Sequence, residues 1–476
     1  MIRSRLSDGL RLAIAGAIAA LLSAPVLAAD APAGEKAQDA AKRPNVLFLA
    51  LDDLNDWTGF LGGHPGTLTP NMDRLARRGV VFNKAYCSAP LCNPSRASLL
   101  TGLRPSTTGV YQNNQPWRPV LKDAVTLPQH FMAAGYHVVG GGKIFHNAYN
   151  DPQSWHQWYR EKANPHPAKT PVNGIPNTAH FDWGPLDVPD EEMGDTKVVN
   201  WAIDYLKKRP EDKPYFLAVG LIKPHLPWYV PRKYFDLHPL SEIKLPETRA
   251  DDLDDIPAAG LAMAKRDKDH RQVVEHHQWE KAVQAYLASI SFADAQIGRL
   301  LDALDATPDG KETIIVLWGD HGWHLGQKEH WRKFALWEEA TRTSLIVIAP
   351  GKTHAGTRSD RTITLLDLYP TLVELCGLPP KSGLEGNSIV PLLEDPAATW
   401  DHPAVTTFGR NNHAVRNERW RYIRYADGTE ELYDHDADPK EYENLAKDPK
   451  SKEIIATLKR SLPEQNAAEA PTQREQ

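Results

Sequence analysis

Cys92 opens the segment Cys92-Asn93-Pro94-Ser95-Arg96-Ala97-Ser98-Leu99-Leu100-Thr101-Gly102. A thiol near a helix start, with a guanidinium one turn on, can have its pKa lowered until it acts as a nucleophile. Cysteine is also commonly buried and inert, and a disulfide to the nearby Cys87 is a third reading. The chain has 3 cysteines, Cys87, Cys92 and Cys376. An exported protein usually pairs its cysteines, and an odd count leaves at least one that needs a chemical explanation.

Carboxylates stand at two comparable places. Asp52 and Asp53 follow the apolar run from Asn45 to Leu51, and Asp320 and His321 follow the run from Thr313 to Trp318. Carboxylate oxygens are hard ligands suited to Ca²⁺ or Mg²⁺, and such an ion polarises an oxygen of a bound substrate. One pair alone reads as well as a helix cap or turn. Two pairs, each closing a strand, point to a metal site.

Cations recur in the same setting. Lys143 and His146 follow the run His137 to Gly140, Lys223 and His225 follow Tyr215 to Gly220, and Arg332 and Lys333 close the loop after Asp320-His321. Each alone reads as a solvated or structural residue. Together they form a local cationic set, which an anionic substrate requires here because the formal charge of the chain is −6. That acidic balance argues against nonspecific nucleic-acid binding, which needs a basic face.

The elements that must position these groups are strands and helices in alternation. Continuous apolar runs at 45–51, 137–140, 215–220, 313–318 and 344–348 read as strands buried on both faces. Ala285 to Leu304 places Tyr286, Ile290, Ala293, Ile297 and Leu301 at helical spacing. The pattern predicts an α/β fold with a large mixed, mostly parallel sheet flanked by helices, and ligands at the carboxyl ends of its strands. Leu237 to Gln278 reads as a surface insertion. From about Trp400, short alternating segments predict a small antiparallel C-terminal α+β subdomain ending in a helix.

At 476 residues, 41% hydrophobic and 24% charged, the composition is that of a globular protein. Residues 1–28 have the anatomy of a secretory signal peptide: Arg3, Arg5 and Arg11, an apolar run from Leu12 to Leu22, and small residues at Ala28 and Ala29. That run is shorter than the roughly 20 residues of a membrane span, so no stable membrane insertion is expected. The expected organisation is a signal peptide (1–28), a linker (29–42), a catalytic domain (43–395), the C-terminal subdomain (396–462) and a disordered tail (463–476). The expected location is exported, periplasmic or extracellular.

The segment Cys92-x-Pro94-Ser95-Arg96, followed by Leu100-Thr101-Gly102, resembles the signature of type I sulfatases, a family of alkaline phosphatase-like fold. Further segments resemble iduronate-2-sulfatases in particular: Arg104 to Tyr111, Thr126 to Phe131, Gly142 to His146, and Asp320 to Trp323. Glu431-Leu432-Tyr433-Asp434 is also typical of sulfatases, so the resemblance spans about 43–450. It implies that Cys92 is oxidised to formylglycine by a formylglycine-generating enzyme. The hydrated aldehyde attacks sulfur through one hydroxyl, the alcohol leaves, and deprotonation of the other hydroxyl expels sulfate. One Ca²⁺ per chain is implied on Asp52, Asp53, Asp320 and His321, with an oxygen of residue 92 completing the shell. Arg96 and Lys143 would stabilise the diol, His146 would exchange a proton at the nucleophile, and His225 and Lys333 would contact the sulfate. The implied substrate is a sulfated oligosaccharide or polysaccharide, best a 2-O-sulfated uronic acid of a glycosaminoglycan or an algal polysaccharide. The alternatives are a formylglycine-dependent phosphonate or phosphodiester hydrolase and a non-catalytic binding protein for sulfated glycans.

Overall fold

The structure is a computed structural model that describes residues 43–160, 163–178 and 180–473. The expected signal peptide and linker lie outside the described residues.

The strand Val46–Asp52 is buried along its whole length. Side chains alternate across a strand, and here the alternation feeds two cores. Leu47, Leu49 and Leu51 pack with the 27-residue helix Trp279–Asp305 and the helix Gly194–Lys208. Val46, Phe48 and Ala50 pack with the helices Cys92–Thr101, Leu127–Ala133 and Leu368–Leu375. Ile314–Gly319 divides its side chains in the same way. The result is one sheet between two helical layers, which is why these strands read as continuous apolar runs.

Val46–Asp52 lies between Tyr215–Pro224 and Ile314–Gly319, parallel to both, and Tyr215–Pro224 is in turn parallel to His137–Gly142. Leu345–Ile348 joins antiparallel to Ile314–Gly319, and Val80–Tyr86 joins antiparallel to Leu345–Ile348. Two reversals restore the direction, so Val80–Tyr86 also runs toward the common edge. Five carboxyl ends therefore meet there, and the segments leaving them carry Asp52-Asp53, Asp320-His321, His225, Lys143 and Cys92. Gly142 and Gly220 permit the crossing of two of these ends. Gly142 has φ +75, and a Cβ at Gly220 would lie 2.3 Å from the main chain of Lys143.

Ala404–Thr407, His413–Arg416, Trp420–Arg424 and Glu430–Asp434 form the antiparallel C-terminal sheet. One face of it packs on the helix Lys452–Lys459 through Val415, Tyr422, Leu432, Ile455 and Leu458. The other face packs on Ala335, Leu336 and Trp337, the residues just after Lys333.

Two expectations are corrected. The segment 237–278 is more than a surface insertion: Leu253, Ile256 and Ala264 complete the core shared by 335–337 and the C-terminal sheet, and Asp252 pairs with buried Lys328 at 2.7 Å. The tail, expected to be disordered, follows a defined path from 463 to 473. Its backbone amides at Ala467, Ala470 and Gln473 donate to the carbonyls of Ser106, Gly109 and Asn114. Alternating small and polar residues carry no apolar pattern, and order here comes from main-chain hydrogen bonds to a distant segment.

Candidate active site

The helix that carries Cys92 begins at that residue, and Cys92 is fully buried. Its Sγ lies 2.8 Å from Lys333 Nζ, 3.5 Å from His321 Nε2 and 3.8 Å from Asp53 Oδ1. Cys87 and Cys376 are buried free thiols, so the disulfide reading of Cys92 does not hold. One turn along, Arg96 spans the two carboxylate positions. Its Nε donates to Asp320 Oδ2 at 2.8 Å and an Nη to Asp52 Oδ1 at 3.2 Å, and its other Nη donates to the carbonyls of Lys143 and Ile144. The planar guanidinium suits this fork, which a lysine could not reproduce. Lys143 Nζ pairs with Asp52, and Lys333 Nζ with Asp53 Oδ1 at 2.6 Å. His225 Nε2 stands 3.7 Å from Asp53 Oδ2 and is the most exposed of these side chains.

One ligand atom from each of Asp52, Asp53, Cys92, Asp320 and His321 lies within 4.8 Å of all the others. Oxygens bound to calcium at about 2.3–2.6 Å are at most some 5 Å apart, so the cluster fits one such ion. Two further observations agree with a cation here. Asp53 Oδ2 is buried and has no hydrogen-bond partner among the described residues. His321 Nδ1 faces the carbonyl of Gly322 at 2.9 Å, a contact that calls for a proton on Nδ1, so in the neutral ring Nε2 is the nitrogen free to ligate.

Charge balance sets the protonation of the site. Burial and the Cys92 charge push the Asp52 carboxyl up, but Lys143, His225 and Arg96 outweigh them and hold it below the usual carboxylate range. Burial dominates at Asp320 and raises it to about 6. Burial also opposes ionisation of the Cys92 thiol, yet Lys143, Lys333, His146 and His225 together bring it well below its ordinary value. Lys333 stays above its ordinary value, with the carboxylate of Asp53 overcoming the cost of burial. His146 is lowered by burial, and its enclosed Nδ1 has no hydrogen-bond partner among the described residues.

All ten residues expected at the site thus converge on one sheet edge. The sequence reading missed their supports. Tyr286, taken as a core position of its helix, donates its hydroxyl to the carbonyl of Asp53 at 2.7 Å and accepts the N–H of Asn55. It braces Asp53, which sits at φ +62 where a side chain is strained. Asn93 is held by Asn113, Gln112 and Gln115. An aromatic hydroxyl in a helical stripe and an amide beside Cys92 carry no signal of their own.

A cavity of about 810 Å³ opens beside His225 and is lined also by Phe145, Trp158, Arg160, His166 and His180. No acidic side chain lines it among the described residues.

A family model described as Sulfatase matches residues 44–378, and one described as N-sulphoglucosamine sulphohydrolase, C-terminal, matches 319–468. A sulfatase of Formosa agariphila is 42% identical over 452 residues, covering 91% of this chain and 89% of its own. The iduronate 2-sulfatase of Homo sapiens is 32% identical over 385 residues, covering 71% and 70%. A solved 2-O GAG sulfatase superposes with a TM-score of 0.69 at 26% identity, over 88% of this chain and 91% of its own. With Cys92, carboxylates and cations gathered on one edge of an α/β sheet, this chain belongs to the sulfatase family and is a sulfuric ester hydrolase.

Proposed function

We propose that the protein is an exported hydrolase that removes the 2-O-sulfate of uronic acid residues in glycosaminoglycans or algal polysaccharides, through a formylglycine formed from Cys92. The observation that carries this reading is the meeting of Cys92, three buried carboxylates and the cations Arg96, Lys143 and Lys333 at one strand edge. Ca²⁺ held by Asp52, Asp53, residue 92, Asp320 and His321 would supply Lewis-acid polarisation of the sulfate.

The chain's own groups divide the remaining work. Arg96 and Lys143 neutralise Asp52 and Asp320 and hold the buried edge together. Lys333 places a fixed positive charge beside the reacting atom, where preorganised charge is worth most. His146 is the proton acceptor at residue 92. His225, at the border between the buried cluster and the cavity, hands a proton to the departing alcohol. The cavity, within the roughly 300–1,000 Å³ usual for ligand sites, supports a saccharide: aromatic faces from Phe145, Trp158 and Tyr229 stand beside Arg160, His166 and His180. The names of the human relative and of the solved 2-O GAG sulfatase support the 2-O position. Export is supported by the signal-peptide anatomy of residues 1–28.

The test joins two measurements on protein from its native host. Peptide mass spectrometry across Cys92 should give a mass about 18 Da below that of the thiol, the composition change from thiol to aldehyde. The same preparation should release sulfate from a 2-O-sulfated uronate faster than it hydrolyses an aryl sulfate or a phosphonate ester. An unmodified thiol in active enzyme would overturn the nucleophile, and a preference for the phosphonate ester would overturn the substrate.

A further inference from the structure

Residues 463–473 lie along 106–115, and the contact is built from both sides. Ala467, Ala470 and Gln473 donate their amides to Ser106, Gly109 and Asn114 at 2.8, 2.8 and 2.9 Å. In return Tyr111 Oη donates to Ala467 O at 3.0 Å and Gln115 Nε2 to Ala470 O at 2.7 Å. Ala470 is buried, and Gly109, at φ +76, has room for no side chain because a Cβ would lie 2.1 Å from Ala468 O.

Gln115 links this contact to the nucleophile. It is fully buried, and its Oε1 accepts the amides of Tyr111 and Gln112 at 2.6 and 2.7 Å. Its main-chain carbonyl accepts Asn93 Nδ2 at 2.8 Å, as the carbonyl of Gln112 does at 2.9 Å. The first amides of a helix have no partner within it, and Leu91, the residue before Cys92, offers no capping side chain. Asn113 supplies the cap instead, its Oδ1 accepting the Asn93 amide at 2.9 Å.

We propose that residues 463–473 are a strap that positions the nucleophile: by anchoring Gln115 they hold the 111–115 loop, and that loop caps the helix at Asn93, beside Cys92. Gln115, Asn113 and the strap are positioning elements, and none of them touches the reacting atoms. The proposal rests on Cys92 as the nucleophile for its effect on turnover, but its structural part can be read without activity.

The test uses the full chain carrying Ala470→Glu, which places a charge at a buried alanine and expels the strap. Hydrogen exchange should show the amides of Ala467, Ala470 and Gln473 released and, with them, those of Asn93, Tyr111 and Gln112 exchanging at least about tenfold faster. In protein with Cys92 converted to the wild-type extent, kcat on an aryl sulfate should fall about tenfold with KM within about twofold, a loss of positioning rather than of binding. A chain ending at Leu462 should behave alike and recover on addition of a peptide of residues 463–473, which covers the case in which Ala470→Glu does not fold. Released strap amides beside fully protected Asn93, Tyr111 and Gln112 would overturn the proposal, as would an unchanged kcat with the strap released. Absence of sulfatase turnover in the wild type would count against the function proposed above and leave the exchange result standing.

Discussion

The ammonium of Lys333 lies 2.8 Å from the sulfur of Cys92, although 241 positions separate them in the chain. Lys333→Met keeps an unbranched side chain of similar bulk and removes the ammonium with its charge and donors. Turnover should fall by about 10²–10³-fold, the scale of losing one preorganised stabilising group, while peptide mass spectrometry at residue 92 is unchanged. Lys333→Arg should not restore it, because a planar fork cannot replace a point charge there. Activity within tenfold of wild type would remove Lys333 from the site.

Metal binding is checked by stability rather than rate. Chelator-treated protein should unfold at a lower temperature and recover with Ca²⁺, by about 2.7 kcal/mol when the ion is a hundredfold above its Kd. Asp53→Asn should lose most of this response, because it alters the carboxylate whose buried Oδ2 has no hydrogen-bond partner among the described residues. Identical melting with chelator and with Ca²⁺ would contradict the metal site.

Among the described residues Arg160 has no acidic partner, and it faces the cavity beside His225. If it meets the uronate carboxylate, Arg160→Ala should lower kcat/KM for a 2-O-sulfated uronate by about 10–100-fold, the worth of one charged hydrogen bond. An aryl sulfate lacks that carboxylate and should react as before. Equal losses on both substrates would show that Arg160 supports the structure instead.

Asp367 gives a pH prediction away from the metal cluster. Burial raises its carboxyl from 3.8 to about 7, against the amides of Asn387 and Thr364 that favour its ionised form. A carboxyl raised on folding adds stability fully present below the unfolded value and lost as pH climbs through the folded one. Between pH 4 and pH 7 the wild type should therefore lose stability relative to Asp367→Asn, which cannot ionise, by on the order of a few kcal/mol. Thermal melts of both proteins at pH 5 and pH 8 decide it, and a gap that does not change with pH would refute the shift.

The groups legible in the sequence share one property: each closes a run of side chains buried on both faces. Asp52, Asp320 and Lys143 end such runs, and strand polarity alone sends them to a single edge. Cys92 and Arg96 were legible through their spacing on one helix. What escaped was held by groups without pattern. Leu253, Ile256 and Ala264 fill a core whose other members come from 335–337 and the C-terminal sheet, so the local sequence around them shows no apolar periodicity of its own. Asn113, Gln115 and the 463–473 strap act through main-chain carbonyls and amides, which every residue has. Tyr286 was correctly placed on the buried face of its helix, but what its hydroxyl touches depends on a strand more than 230 positions away.

Cys92 has no exposed surface. The groups that enclose it include Asp320, His321 and Lys333, the last of which is synthesised 241 residues later. If Cys92 is converted to formylglycine as proposed, the oxidising enzyme must reach the thiol before these segments close over it. At about 5–20 residues per second of synthesis, on the order of 10–50 s separate the appearance of the two residues. On that proposal the proportion of converted protein is set by a race between modification and folding, and conditions that slow the closing of the sheet should raise the converted fraction without any change in sequence.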